Sequence, residues 1–250
     1  MVVNNYELIY SFLSRLKEDG CVFDLMLIQR KKDNPKHKSG KIIYRKLLHD
    51  EQSLFNRMDL IIKLCEEYKA RAYINLNPKK KEDICKKLAM NAFQDFLYSH
   101  NYEPEALLWH AVGETKGVKC KRSWVVDIDH GYVGDLPRIK KIIDDIYPVG
   151  DKVIVEIPTR SGVHLITSPF NLNAFKLSCP YVDVQKDNPT LLYYPNSLDE
   201  EIYANQMIIE GVASGKIKLR ASESCIPDCT RDCSVCLERR IKPLNNRILK

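Results

Sequence analysis

Apolar residues recur at three- and four-residue steps over residues 4–18, where Leu8, Ile9, Phe12, Leu13 and Leu16 fall on one stripe. This spacing predicts an amphipathic helix, and Asp19-Gly20 stops it. Val22–Gln29 and Lys41–Lys46 read as two strands joined by the basic loop KKDNPKHKSG. A second helix is expected over 51–69, with Leu54, Met58, Ile61, Ile62 and Cys65 at helical spacing. Arg71–Leu76 reads as a short strand. Asn77-Pro78 then supplies an N-cap and first residue for a helix over about 79–99, with Ile84, Leu88, Ala92 and Phe96 inward. Leu107–Val112 and Ser123–Asp129 read as strands. Pro137 opens a helix with Ile139, Ile142, Ile143 and Ile146 inward, closed by Pro148 and Gly150. Lys152–Ile157, Val163–Thr167, Tyr181–Val184 and Leu191–Tyr194 read as short strands, and 199–213 as a last helix. Consecutive strands mixed with helices predict an α+β fold rather than a regular wound parallel sheet.

One strand carries more than packing. In WVVDIDH, alternation turns Val126 and Ile128 to one side and Asp127 and Asp129 to the other. Two carboxylates ~6.5–7 Å apart along a strand can both reach a pair of divalent ions, as two-metal enzymes require. The plain alternative is an amphipathic strand with its acidic face in water. In PTRSGVHLIT, Ser161-Gly162 makes a tight turn that sets His164 at the mouth of a sheet. There its imidazole, the Gly162 backbone and Arg160 can meet a phosphate, or the segment is an ordinary hairpin. Asp183 lies mid-strand between Val182 and Val184 and needs a cation, an arginine or water as partner; Asp187, in the next turn, is its rival. His130 adjoins the aspartates and Glu156 is a further acid. Trp109 and His110 read as packing.

The chain has 250 residues, 44% hydrophobic and 29% charged, which fits a folded globular protein. No apolar run approaches the ~18 residues of a membrane span, and the N-terminus lacks the features of a secretion signal. Formal net charge is +6. It concentrates in residues 30–49, including Arg30, Lys31, Lys32 and Lys36, and in residues 215–250, where nine basic residues meet four acidic ones. Such clustering suits either a polyanion partner or a solvated face. Arg71 opens the strand RAYINLN, as a surface arginine or one that reaches a phosphate. The nine cysteines, without an export signal, read as thiols or metal ligands. Cys225, Cys229, Cys233 and Cys236 follow a C-x3-C-x3-C-x2-C pattern. Four soft ligands suit Zn²⁺; an iron–sulfur site and a reduced, metal-free segment are the alternatives. The other five read as small core or surface residues.

In chain order, Asp127-Ile-Asp129, Ser161-Gly-Val-His164 and Val182-Asp183 resemble the catalytic signature of the archaeo-eukaryotic primase superfamily. Thr159, Ser161, Gly162 and His164 match the form found in primase-polymerases of mobile elements. The resemblance spans roughly residues 70–195; its motifs are closely spaced, and two residues separate the serine from the histidine. It implies an RRM-like sheet core with an added α/β unit. A catalytic domain would occupy 1–220, with the added unit at about 1–100 and the RRM-like part at about 101–220, followed by a Cys-rich element at 221–250. It implies template-directed nucleotidyl transfer with Asp127, Asp129 and Asp183 holding two Mg²⁺ or Mn²⁺. Ser161, Gly162, His164 and Arg160 would bind the incoming nucleoside triphosphate. Arg71, Lys31, Lys32 and Lys36 would contact a single-stranded DNA or RNA template. Any helicase would be a separate chain, and the setting cytoplasmic, at a nucleoid or mobile element. A catalytically inactive nucleic-acid-binding relative and another two-metal enzyme, such as a nuclease, are the alternatives.

Overall fold

The computed structural model describes residues 2–33, 39–98, 103–118 and 122–198. Residues Met1–Asp199 form one compact unit. Within it, helices and two antiparallel sheets give the mixed α+β architecture that the pattern predicts. The Cys225–Cys236 pattern, the expected helix over 199–213 and Lys36 lie outside the described residues.

The first sheet has six strands: β1 (Val3–Asn4), β2 (Cys21–Gln29), β3 (Lys41–Leu48), β4 (Arg71–Ile74), β5 (Lys79–Lys80) and β10 (Thr190–Tyr194). Their order is β1-β10-β4-β2-β3, and β5 pairs with the start of β2. Alternation along β2 turns Phe23, Leu25 and Leu27 into a core with Ile9, Phe12 and Leu13 of α1 (Tyr6–Leu16) and Ile61 and Cys65 of α3 (Met58–Tyr68). Asp24, on the opposite face of β2, is held by a two-toothed bond from Arg45 at 2.9 and 2.5 Å. The Arg45 guanidinium also lies 4.7 Å from the Trp109 ring centroid.

The second sheet is built from β6 (Trp124–Asp129), β7 (Val153–Thr159), β8 (Gly162–Thr167) and β9 (Asp183–Gln185). Helix α6 (Leu136–Asp145) joins β6 to β7, and α7 (Leu172–Ser178) joins β8 to β9. The connectivity is therefore β-α-β-β-α-β, with strand order β7-β8-β6-β9. Val126, Ile128 and Leu165 pack under Ile139 and Ile143 of α6 and Phe175 of α7. At one end of the opposite face, Val125, Ile157 and Ile166 join the core of the first sheet. Asn5 links the two sheets, its side-chain amide donating to Pro158 O at 2.8 Å and Leu191 O at 2.9 Å.

Several expectations are corrected. Leu107–Val112 is not a strand but part of helix α5 (Pro104–Glu114). A short apolar run reads equally as strand or buried helix, and Pro104 in the first turn decides for helix. The helix expected over 51–69 is two, α2 (Glu51–Phe55) and α3, with Asp50 capping the first through Ser53 N at 2.7 Å. Asn77 caps no helix; α4 (Lys81–Tyr98) starts four residues later, because the Asn77 side chain is committed to tertiary bonds. Of the expected inward stripe of α4 only Ile84 is buried, and Phe96 is 78% exposed. Helix α7 and strand β1 had no reading in the sequence. Strand β10, late in the chain, belongs to the first sheet, so that sheet is not assembled from the first 100 residues alone. Among the described residues, no helix is long and apolar enough to cross a membrane.

Candidate functional site

Strand register brings the sequence motifs together. Asp127 of β6 stands directly opposite His164 of β8 on one side and Asp183 of β9 on the other. Opposed residues of antiparallel strands point to the same face with Cβ atoms ~4.5–5.5 Å apart. This puts an imidazole and two carboxylates in one row. Val126 and Ile128 are buried on the helical face, as alternation predicts, which leaves Asp127 and Asp129 on the other. Asp129 ends β6 opposite Gly162.

Gly162 is required at its place. A Cβ there would lie 1.9 Å from the Ile128 carbonyl oxygen, a distance no side chain tolerates. The close approach lets β8 run tightly beside β6, and Ser161 O accepts the His130 N–H at 2.6 Å. Ser161 is exposed at the turn, as is His130.

His164 is fixed on both sides. Its Nδ1 shares a 2.9 Å hydrogen bond with Oγ1 of Thr190, a fully buried residue of β10. Its Nε2 faces Asp127 Oδ1 at 3.5 Å. Burial holds the imidazole below its ordinary value, opposed by the Asp127 charge. Burial raises the Asp127 carboxyl, with further upward pushes from Asp129 and Asp183; His164 and Lys32 pull the other way. Asp183 is exposed, and Gln185 Nε2 donates to it at 2.8 Å.

Cationic side chains gather next to the row. The Lys32 ammonium is held below its usual range by burial and by Arg30 and Arg71, and Arg160 adds to this repulsion. Arg71 is not the surface residue that its position suggested. It is 6% exposed, and its Nε donates to Asp33 Oδ2 at 2.7 Å while a second nitrogen reaches Oδ1. The guanidinium carbons of Arg71 and Arg160 lie 4.8 and 5.4 Å from the Tyr194 ring centroid. Lys31 is exposed in the turn after β2.

Asp187 does not join the row. Buried Asn75 and Asn77 donate to its carboxylate at 3.2 and 3.0 Å. Glu156 faces α6 instead, where Lys140 pairs with it. His110 and Trp109 lie on helix α5. Sequence reasoning did not find Thr190, Tyr194 or Asn75 and read Asn77 only as a helix cap, because each acts through a tertiary contact that no local motif announces.

Among the described residues, no three His, Cys, Asp or Glu side chains are gathered closely enough to clasp an ion as they stand. Compared with known proteins, the chain matches no family model, no curated protein and no solved structure.

Proposed function

We propose that this chain is a template-directed nucleotidyltransferase of the primase or primase-polymerase kind, joining nucleoside triphosphates on a single-stranded DNA or RNA template. One observation carries the reading: Asp183, Asp127 and His164 share one cross-strand row, with Asp129 two residues beyond, on the open face of a β-α-β-β-α-β sheet. That connectivity is the one an RRM-like core requires, and the motifs occupy three adjacent strands of it.

The donor set fits hard divalent cations. Asp127, Asp129 and Asp183 offer only carboxylate oxygens, which suit Mg²⁺ or Mn²⁺; burial, and then the neighbouring carboxylates, raise Asp127, and a cation would counter that repulsion. Two such ions, held by these three aspartates, would lower the pKa of the attacking hydroxyl and neutralise the triphosphate. The chain's own groups do the positioning. Thr190 fixes the His164 ring, leaving Nε2 to face the carboxylates and an entering phosphate. Arg160 and Lys32 supply positive charge where negative charge spreads over phosphoryl oxygens. Gly162 lets backbone approach closely. Zn²⁺ bound by Cys225, Cys229, Cys233 and Cys236 belongs to the same proposal.

The test incubates the protein with single-stranded template, labelled nucleotides and Mn²⁺, then resolves products on a gel. Extended products lost in Asp127→Asn support the reading. Salt-sensitive binding without incorporation under any metal would instead mark an inactive relative, and shortening of labelled DNA without nucleotides a nuclease.

A further inference from the structure

A groove of about 950 Å³ lies away from the carboxylate row, between α4 and the chain that follows α5. One wall is a single stripe of α4, carrying Lys86, Lys87, Met90 and Gln94 at three- and four-residue steps. Lys80, Lys116 and Arg122 close the other sides. These five cations face two lining acids, Asp83 and Glu114. Lys86 also meets Glu82 at 2.6 Å in an exposed pair, which offsets little of the field. Apolar surface is interleaved, with Met90 among the cations of the lining.

A second hollow of about 390 Å³ shares Lys116 and Arg122 with the first and adds Trp124, Lys186 and Asp187. The Lys186 ammonium sits 5.2 Å from the Trp124 ring centroid. Trp124 precedes Asp127 by three residues on β6 and packs with the helical-face core, so this hollow lies ~10 Å along the strand from Asp127 and on the other face of the sheet. The rim is built rather than loose. Asn77 Oδ1 accepts Ser123 N–H at 2.7 Å, and its amide donates to Asp187 at 3.0 Å. Val118 N–H donates to Pro78 O at 2.9 Å.

We infer that the joined grooves carry the sugar–phosphate backbone of a single-stranded nucleic acid past the edge of the second sheet; the identity of that strand as template rests on the proposed function. Cations that track a backbone, with apolar and aromatic groups beside them for unstacked bases, make up a single-strand surface. Phosphate contacts release counterions, so affinity must fall with salt.

The test measures anisotropy of labelled oligothymidylate with the full chain in EDTA, without nucleotides, over a range of salt. Lys87→Gln/Lys116→Gln/Lys186→Gln removes three exposed groove charges. We expect about a tenfold loss of affinity and a salt slope shallower by about 2, with an unchanged circular dichroism spectrum. A control triple on other surfaces, Lys17→Gln/Lys63→Gln/Lys141→Gln, is expected to keep both. Unchanged binding in the groove triple, equal losses in both triples, or competition by polyglutamate as strong as by DNA overturns the inference. Asp127→Asn separates the two claims, since it must bind oligothymidylate like wild type while losing synthesis. If it keeps synthesis, the functional reading fails and the groove stands.

Discussion

The two sheets treat their charged residues in opposite ways. In the first, each buried acid has a dedicated cation: Asp33 is clasped by Arg71 and Asp24 by Arg45. In the second, Asp127 lies between an imidazole held below its usual pKa and another carboxylate, and it is pushed toward its neutral form. Closed pairs hold an architecture together. A partly buried carboxylate pushed toward its neutral form beside other acids marks a candidate site for a ligand. The contrast singles out Asp127 as the acid to test without any appeal to motif.

The largest effect to expect is on activity. Asp127→Asn or Asp183→Asn should lower nucleotide incorporation by about three orders of magnitude without lowering the unfolding midpoint in urea. Retained incorporation would break the functional half of the contrast. The first sheet should respond the other way. Asp33→Ala strands the buried Arg71 guanidinium and should cost about 3–5 kcal/mol of stability, read from urea unfolding; a loss under 1 kcal/mol would show the pair to be dispensable.

Much of the second sheet was legible, and the reason is local. Alternation in WVVDIDH and the glycine before Val163-His164 are short-range signals, and β6 and β8 appear where they point. The choice between Asp183 and Asp187 was not legible, because it depends on strand register and on two buried asparagines from the stretch between β4 and β5. The LLWHAV run failed for a different reason: six residues, five of them apolar, are too short a stretch to show a period that distinguishes helix from strand. Arg71 misled because a charged residue opening a strand reads as surface, and only its distant partner Asp33 makes burial tolerable. Thr190, the anchor of His164, had no signal beyond its place beside an apolar run.

Gly162→Ala tests the close approach of β6 and β8. Its methyl group would collide with the Ile128 carbonyl, so we expect a loss of about 2–3 kcal/mol in urea unfolding. Wild-type stability would show that the strands part easily. The smallest effect concerns pH, measured free of metal. Folded His164 resists protonation, so it should cost stability as pH falls from about 6.5 toward its lowered value. Asp127, raised in the fold, should cost stability as pH climbs from about 3.9 through its folded value. Asp127→Asn removes the neighbouring charge that props up the imidazole, so the His164 midpoint read by NMR should fall further. A rise would contradict the pairing at 3.5 Å.

The most direct test counts Mn²⁺ by electron paramagnetic resonance as the ion is titrated into the wild-type chain and single variants. The row predicts two bound ions per chain, lost in Asp127→Asn and in Asp183→Asn but kept in Asp187→Asn. Wild-type binding by Asp183→Asn, or loss confined to Asp187→Asn, would contradict the assignment of the three aspartates to one site.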